Sequence, residues 1–179
     1  MRGKNFFDFI LVFALSLIFI SLVFVSSSLI AVYDLDFYKA EFAKYGTYDR
    51  LPAADSISNN LVNYFDDREA LLDAYSEREV IHLGDVKNII NFLNGFYYAF
   101  AFLFSFLCLF LFYRGYRHLN LVFIIGSVSV IFIIFILYLF SLFNFDFLFL
   151  SFHKGFFVND FWLLDSSTTL INLFPAEFF

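Results

Sequence analysis

The sequence predicts an all-α integral membrane protein with three transmembrane helices, a small helical extracytoplasmic cap and a C-terminal interfacial segment. Three observations lead there. Of the 179 residues, 61% are hydrophobic, against roughly 45–50% in ordinary globular domains, so the excess needs burial in something other than a water-soluble core. Three charge-free stretches are each long enough to cross a bilayer, which takes about 20 apolar residues. The charges outside them sort by sign, with bases in the short connections and acids in the long one.

The first span covers residues 9–32 and follows Arg2, Lys4 and Asp8. A signal-peptide apolar region runs about 7–15 residues; this one is longer, and Ser26-Ser27-Ser28 is a faint cleavage signal, so the reading is a retained helix. The second span is 89–113 and the third 119–143, separated by a turn at 114–118 that holds Arg114, Arg117 and His118 and no acid. The loop 33–88 carries twelve acidic and six basic residues. Lys and Arg in short loops stay in the cytoplasm, which places the N-terminus and the 114–118 turn inside and 33–88 outside.

Within 33–88, aromatic and aliphatic residues recur at helical spacing. Phe37, Phe42 and Tyr45 predict one short amphipathic helix closed by Gly46. A second, capped by Ser56, presents Ile57, Leu61, Tyr64 and Phe65. Leu71, Leu72 and Tyr75 suggest a third, and Ser76 with Glu79 fits a capping box. The tail, 144–179, is rich in Phe and Leu but punctuated by Asp146, Lys154, Asp160, Asp165 and Glu177. It reads as one or two helices at the membrane interface, a depth that suits Trp162. Residues 170–179 look like the start of a fourth helix.

Chemistry-bearing residues are few. One cysteine, Cys108, excludes an intrachain disulfide and any site built on several thiolates. No phosphate-binding glycine loop, zinc-protease motif or basic-aromatic nucleic-acid patch is present, and no charge interrupts a span to mark an ion pathway. No metal, cofactor or nucleic acid is expected. His118, beside two arginines, reads as a solvated residue of the cytoplasmic turn. His82 and His153 differ, because each belongs to a polar cluster close to a predicted span boundary, where lipid head groups and ester bonds reside. Polar residues in such apolar surroundings are costly and point to function. Imidazole suits proton transfer near neutrality, and Glu79, Asp85 or Asp160 could orient it. The competing reading is that these polar residues only hydrogen-bond loop backbone or reach towards water.

The two clusters also resemble a family. Glu79-x-x-His82-Leu83-x-Asp85-Val86-Lys87 is similar to one signature of the bacterial lipoprotein intramolecular transacylases called Lit. Phe152-His153-x-x-Phe156-Phe157-x-Asn159-Asp160-x-Trp162-x-Leu164 resembles a second, and Leu170-Ile171-x-Leu173-Phe174-Pro175-x-x-Phe178-Phe179 a third. The resemblance implies an enzyme that acts on lipoproteins whose N-terminal cysteine carries a diacylglyceryl group, moving one acyl chain from glycerol to the cysteine α-amine without a cofactor. It implies His82 and His153 as the catalytic pair, with Glu79, Asp85, Lys87, Asn159, Asp160 and Trp162 in support, and does not say which histidine is acid and which base. It also implies a plasma-membrane protein acting among membrane lipids on the extracytoplasmic side, with a fourth helix after the Phe-Pro block and a proline where Asp165-Ser166-Ser167 stands. The alternative from another class is a non-catalytic membrane interaction protein that binds a partner through its acidic outer cap.

Overall fold

The structure, a computed structural model, describes residues 2–178, with side chains from residue 6 onward. In chain order the elements are α1 (Arg2–Tyr33), α2 (Leu35–Lys44), α3 (Thr47–Arg50), α4 (Ala54–Phe65), α5 (Glu77–Tyr113), α6 (Leu119–Phe156), α7 (Thr169–Leu173) and a 3-10 turn (Ala176–Phe178). Among the described residues there is no strand, and three helices are long and apolar enough to cross a membrane: Phe6–Tyr33, Glu77–Tyr113 and Leu119–Phe156. The chain folds as two compact units, one of residues 1–28 and 93–149, the other of residues 29–92 and 150–179.

The first unit holds the most apolar lengths of the three long helices. Val12 and Leu15 of α1 are buried with Val122 of α6, flanked by Phe104, Leu107 and Leu111 of α5. Most of its other large side chains point outward, Phe102 and Ile131 among them, as expected where hydrocarbon is the solvent. Lipid gives helices little hydrophobic reason to associate, so close packing and polar contacts carry the interface. Both occur here. The Ser16 hydroxyl donates to the Val122 carbonyl at 3.2 Å, and Gly126 lets the Phe19 ring lie directly against the α6 backbone.

At the 114–118 turn, α5 ends in a Schellman motif, with Tyr116 N–H donating to Leu111 O and Gly115 N–H to Phe112 O, both at 2.9 Å. Gly115 has φ +69°, a conformation that costs a side-chain-bearing residue roughly 1–2 kcal/mol. The third span was expected to stop at 143. The backbone does break at Asn144 (φ −159°, ψ 71°), but the helix resumes at once and runs to Phe156. Asn144 makes this possible, because its side-chain oxygen accepts from Phe147 N–H at 3.1 Å and so caps the resumed segment.

The second unit is built on α2 and α4. Asp34 caps α2, accepting from Phe37 N–H at 2.9 Å, and Gly46 follows the helix at φ +65°. Two expectations are corrected here. Ser56 does not start α4; the helix begins at Ala54, and the Ser56 hydroxyl donates back to Ala53 O. No helix forms around 71–75. Instead Asn60 organises an irregular loop, its amide donating to Glu69 Oε2 and Ala70 O while its oxygen accepts from Leu72 N–H. A side chain that satisfies three loop groups removes the need for helical hydrogen bonds there.

The core of this unit joins Tyr38 and Phe42 of α2, Ile57, Leu61 and Phe65 of α4, and Leu83 and Ile90 of α5 with Leu170 and Leu173 of α7. The C-terminal stretch extends this packing, Phe174 lying 5.5 Å from the Tyr38 ring and 6.0 Å from that of Phe42. Residues 169–178 form a short helix, Thr169–Leu173, and a 3-10 turn, Ala176–Phe178, whose Phe178 ring packs 5.7 Å from Phe37 of α2.

Candidate active site

The capping box at Ser76 and Glu79 starts α5. Glu79 Oε2 accepts from Ser76 N–H at 2.7 Å, and the Ser76 hydroxyl accepts from Glu79 N–H at 3.4 Å. The other Glu79 oxygen accepts from Leu170 N–H at 2.7 Å, so this carboxylate, 1% exposed, ties the first turn of α5 to that of α7. One turn further, His82 falls on the buried face of α5 shared by Glu79, Leu83, Val86 and Ile90.

His153 comes from the last turn of α6, closed by a Phe157 N–H bond to the His153 carbonyl at 2.8 Å. The two imidazoles, 71 positions apart in sequence, lie with ring centroids 6.1 Å apart. Phe157 meets both, edge-on to His82 at 4.8 Å and stacked with His153 at 5.6 Å. The Trp162 ring is 4.9 Å from His153 and buried, so it is part of the site. Phe152 completes the aromatic surround at 5.4 Å.

His82 is 9% exposed, and its Nδ1 is buried without a hydrogen-bond partner among the described residues. A buried polar atom left unpaired costs free energy unless something else meets it, and the pair of rings offers a place for a substrate to do so. Residues 77–88 precede the charge-free part of α5. There, burial first and the neighbouring His153 second push the His82 pKa down from 6.5 to about 4, with Asp85 pulling the other way. His82 is thus neutral at pH 7, a state in which it can take a proton.

The other expected residues divide. Asp85 accepts from the Asn159 side-chain amide at 2.8 Å, and the Asn159 oxygen accepts from Phe161 N–H at 3.1 Å, so the pair ties the segment after α6 to α5 within a turn of His82. Asp160 contributes its backbone, its carbonyl accepting from Arg78 Nη2 at 2.6 Å, while the residue itself is exposed. Lys87 pairs with Asp67 and lies 4.2 Å over the Tyr64 ring, bracing the irregular loop. Glu79 spends both oxygens on backbone N–H groups, so it orients helices rather than an imidazole. Sequence reasoning passed over Phe157, although it stands inside the second motif, and Arg78, whose basic side chain in the first turn of a helix is itself a signal. Among the described residues no group of three or more His, Cys, Asp and Glu is placed to hold a metal ion.

The family model described as lipoprotein intramolecular transacylase Lit matches residues 9–179. Among solved structures, the in meso structure of the membrane integral lipoprotein intramolecular transacylase Lit from Bacillus cereus matches at TM-score 0.84. It is 23% identical, and the match covers 97% of this chain and 84% of that one. Two further structures of the Bacillus cereus protein, with one histidine replaced by arginine or by alanine, match at TM-score 0.76 and 22% identity. Each covers 99% of this chain, and 82% and 84% of their own respectively. A search of curated protein sequences finds no match.

Proposed function

We propose a reaction for this chain, which belongs to the lipoprotein intramolecular transacylase Lit family: it moves one acyl chain from the S-diacylglyceryl group of a lipoprotein to the α-amine of the same N-terminal cysteine. The observation that carries this reading is the juxtaposition of His82 and His153, from two distant motifs, at 6.1 Å inside a shell of aromatic rings.

The steps balance without a co-reactant. The α-amine nitrogen attacks the glycerol ester carbonyl, a C–N bond forms, and the ester C–O bond breaks to release a glycerol hydroxyl. One proton leaves nitrogen and one arrives on glycerol oxygen, so two proton-handling groups suffice. His82, neutral and unpartnered at Nδ1, is the base that accepts from the amine, and His153 supplies the proton to the departing oxygen. The proton gained by His82 is then passed back, directly or through solvent, to His153. Amine and ester belong to one molecule, so orienting them supplies much of the rate, as intramolecular reactions illustrate.

The charge distribution supports an orientation. Arg2, Lys4, Arg114 and Arg117 favour a topology with the N-terminus and the 114–118 turn in the cytoplasm. The histidine pair then works at the outer face of the cell membrane, among the head groups of lipids and of lipid-modified cysteines.

Tandem mass spectrometry of a reporter lipoprotein's N-terminal peptide tests the reaction. Substrate and product are isomers, so fragmentation must locate the acyl chain. The expected result is acyl on the α-amine with the wild-type protein and on glycerol with His82→Ala or His153→Ala. Transfer by the double variant would end the catalytic-pair reading.

A further inference from the structure

Arg78 stands one turn before His82, in the first turn of α5. A cation at that end of a helix meets the positive pole of the helix dipole and is disfavoured there, so its position needs a compensating contact. It has one. Arg78 Nη2 donates to the Asp160 carbonyl at 2.6 Å and to the Leu163 carbonyl at 3.3 Å, and the guanidinium lies 5.5 Å over the Phe161 ring.

The two carbonyls bracket Trp162, which sits between them in sequence and turns its ring onto His153. The segment 157–168 has no helix or strand of its own, so bonds from its backbone to the rest of the fold contribute to where Trp162 goes. We propose that Arg78 is a positioning residue. It clamps the carbonyls on either side of Trp162 and thereby seats that ring, and through it the His153 imidazole, in the working arrangement. The kinetic consequence rests on the proposed transacylase reaction; the seating of Trp162 does not. The contact is charge-assisted on both carbonyls, and the planar guanidinium also lies over the Phe161 ring, a stacking that an ammonium reproduces less well.

Trp162 is the chain's single tryptophan, so its fluorescence reports this ring alone. In the full-length protein in detergent, R78Q should shift Trp162 emission to longer wavelength and increase quenching by acrylamide well below the melting temperature. In the same variant kcat for a diacylglyceryl lipopeptide should fall about tenfold, the scale expected when a reacting group is slightly misplaced. KM should stay within about twofold, because substrate contacts are untouched. R78K should lie between R78Q and wild type on both readouts, and it carries the test alone if R78Q does not fold. Unchanged Trp162 emission and quenching overturns the proposal, as does a loosened Trp162 with intact kcat. If wild-type protein transfers no acyl chain, the reaction is wrong, and the fluorescence comparison still decides whether Arg78 seats Trp162.

Discussion

Asn159 donates its side-chain amide to Asp85 across 2.8 Å, joining the irregular segment after α6 to the helix that carries His82. The bond asks for a donor on one side and a carboxylate on the other. Asn159→Asp would set two carboxylates face to face, and like charges at that distance cannot both stay ionised. One proton shared between them restores the bond at low pH. The activity of Asn159→Asp relative to wild type should therefore rise as pH falls from about 8 to about 5, read from acyl-transfer rates at each pH.

The buried His82 also makes stability depend on pH. Its pKa is about 4 in the folded chain and about 6.5 in an unfolded one. Between those values the unfolded chain binds more protons, so the stability associated with neutral His82 is complete above about pH 6.5 and is lost as pH falls towards 4. Thermal melting of the wild-type protein should decline more steeply across that window than melting of His82→Asn.

Glu79 gives a prediction of a different kind, because its two oxygens serve two segments. Glu79→Gln keeps one acceptor and turns an NH2 group towards a backbone N–H of Ser76 or Leu170. Leaving a buried donor unpaired costs about 1–3 kcal/mol. Denaturant unfolding in micelles should register that loss, with Glu79→Ala worse than Gln.

Gly126 is tested in the membrane-embedded unit. A methyl group there collides with the Phe19 ring, which itself packs 5.5 Å from Phe123 and 6.0 Å from Phe104. Overpacking of this sort costs about 1–3 kcal/mol. Gly126→Ala should lower the melting temperature, and Gly126→Ala with Phe19→Leu should recover part of the loss.

These residues also mark how far the sequence could be read. The long helices were legible because an apolar run without charges has few alternatives in water or lipid. Gly46 and the Ser76–Glu79 box were legible because caps are local chemistry. The site clusters were legible as clusters, since polar residues stand out against Phe and Leu. That His82 and His153 meet was implied only by the family resemblance, because a 6.1 Å approach across 71 positions is a property of packing and leaves no periodic trace. Asn60 was missed for the same reason. Its role in holding 69–72 is a tertiary one, and the apolar spacing at Leu71, Leu72 and Tyr75 imitated a helix that the backbone has no need to form. The cap was misplaced by three residues, at Ser56 instead of Ala53, because a serine just inside a helix and one at its cap look alike in a string of letters.

Phe152, Phe157 and Trp162 around the two imidazoles carry a consequence for product quality. An activated ester can be taken by the amine or by water, and only the first outcome leaves a triply useful molecule: acylated cysteine, free glycerol hydroxyl and intact membrane anchor. Water wins by sheer concentration unless it is kept out. Three rings with little to offer a water molecule bias that competition before any chemistry begins. On the proposed reaction, the aromatic content of this corner governs how much substrate is wasted as free fatty acid, separately from how fast the histidines work.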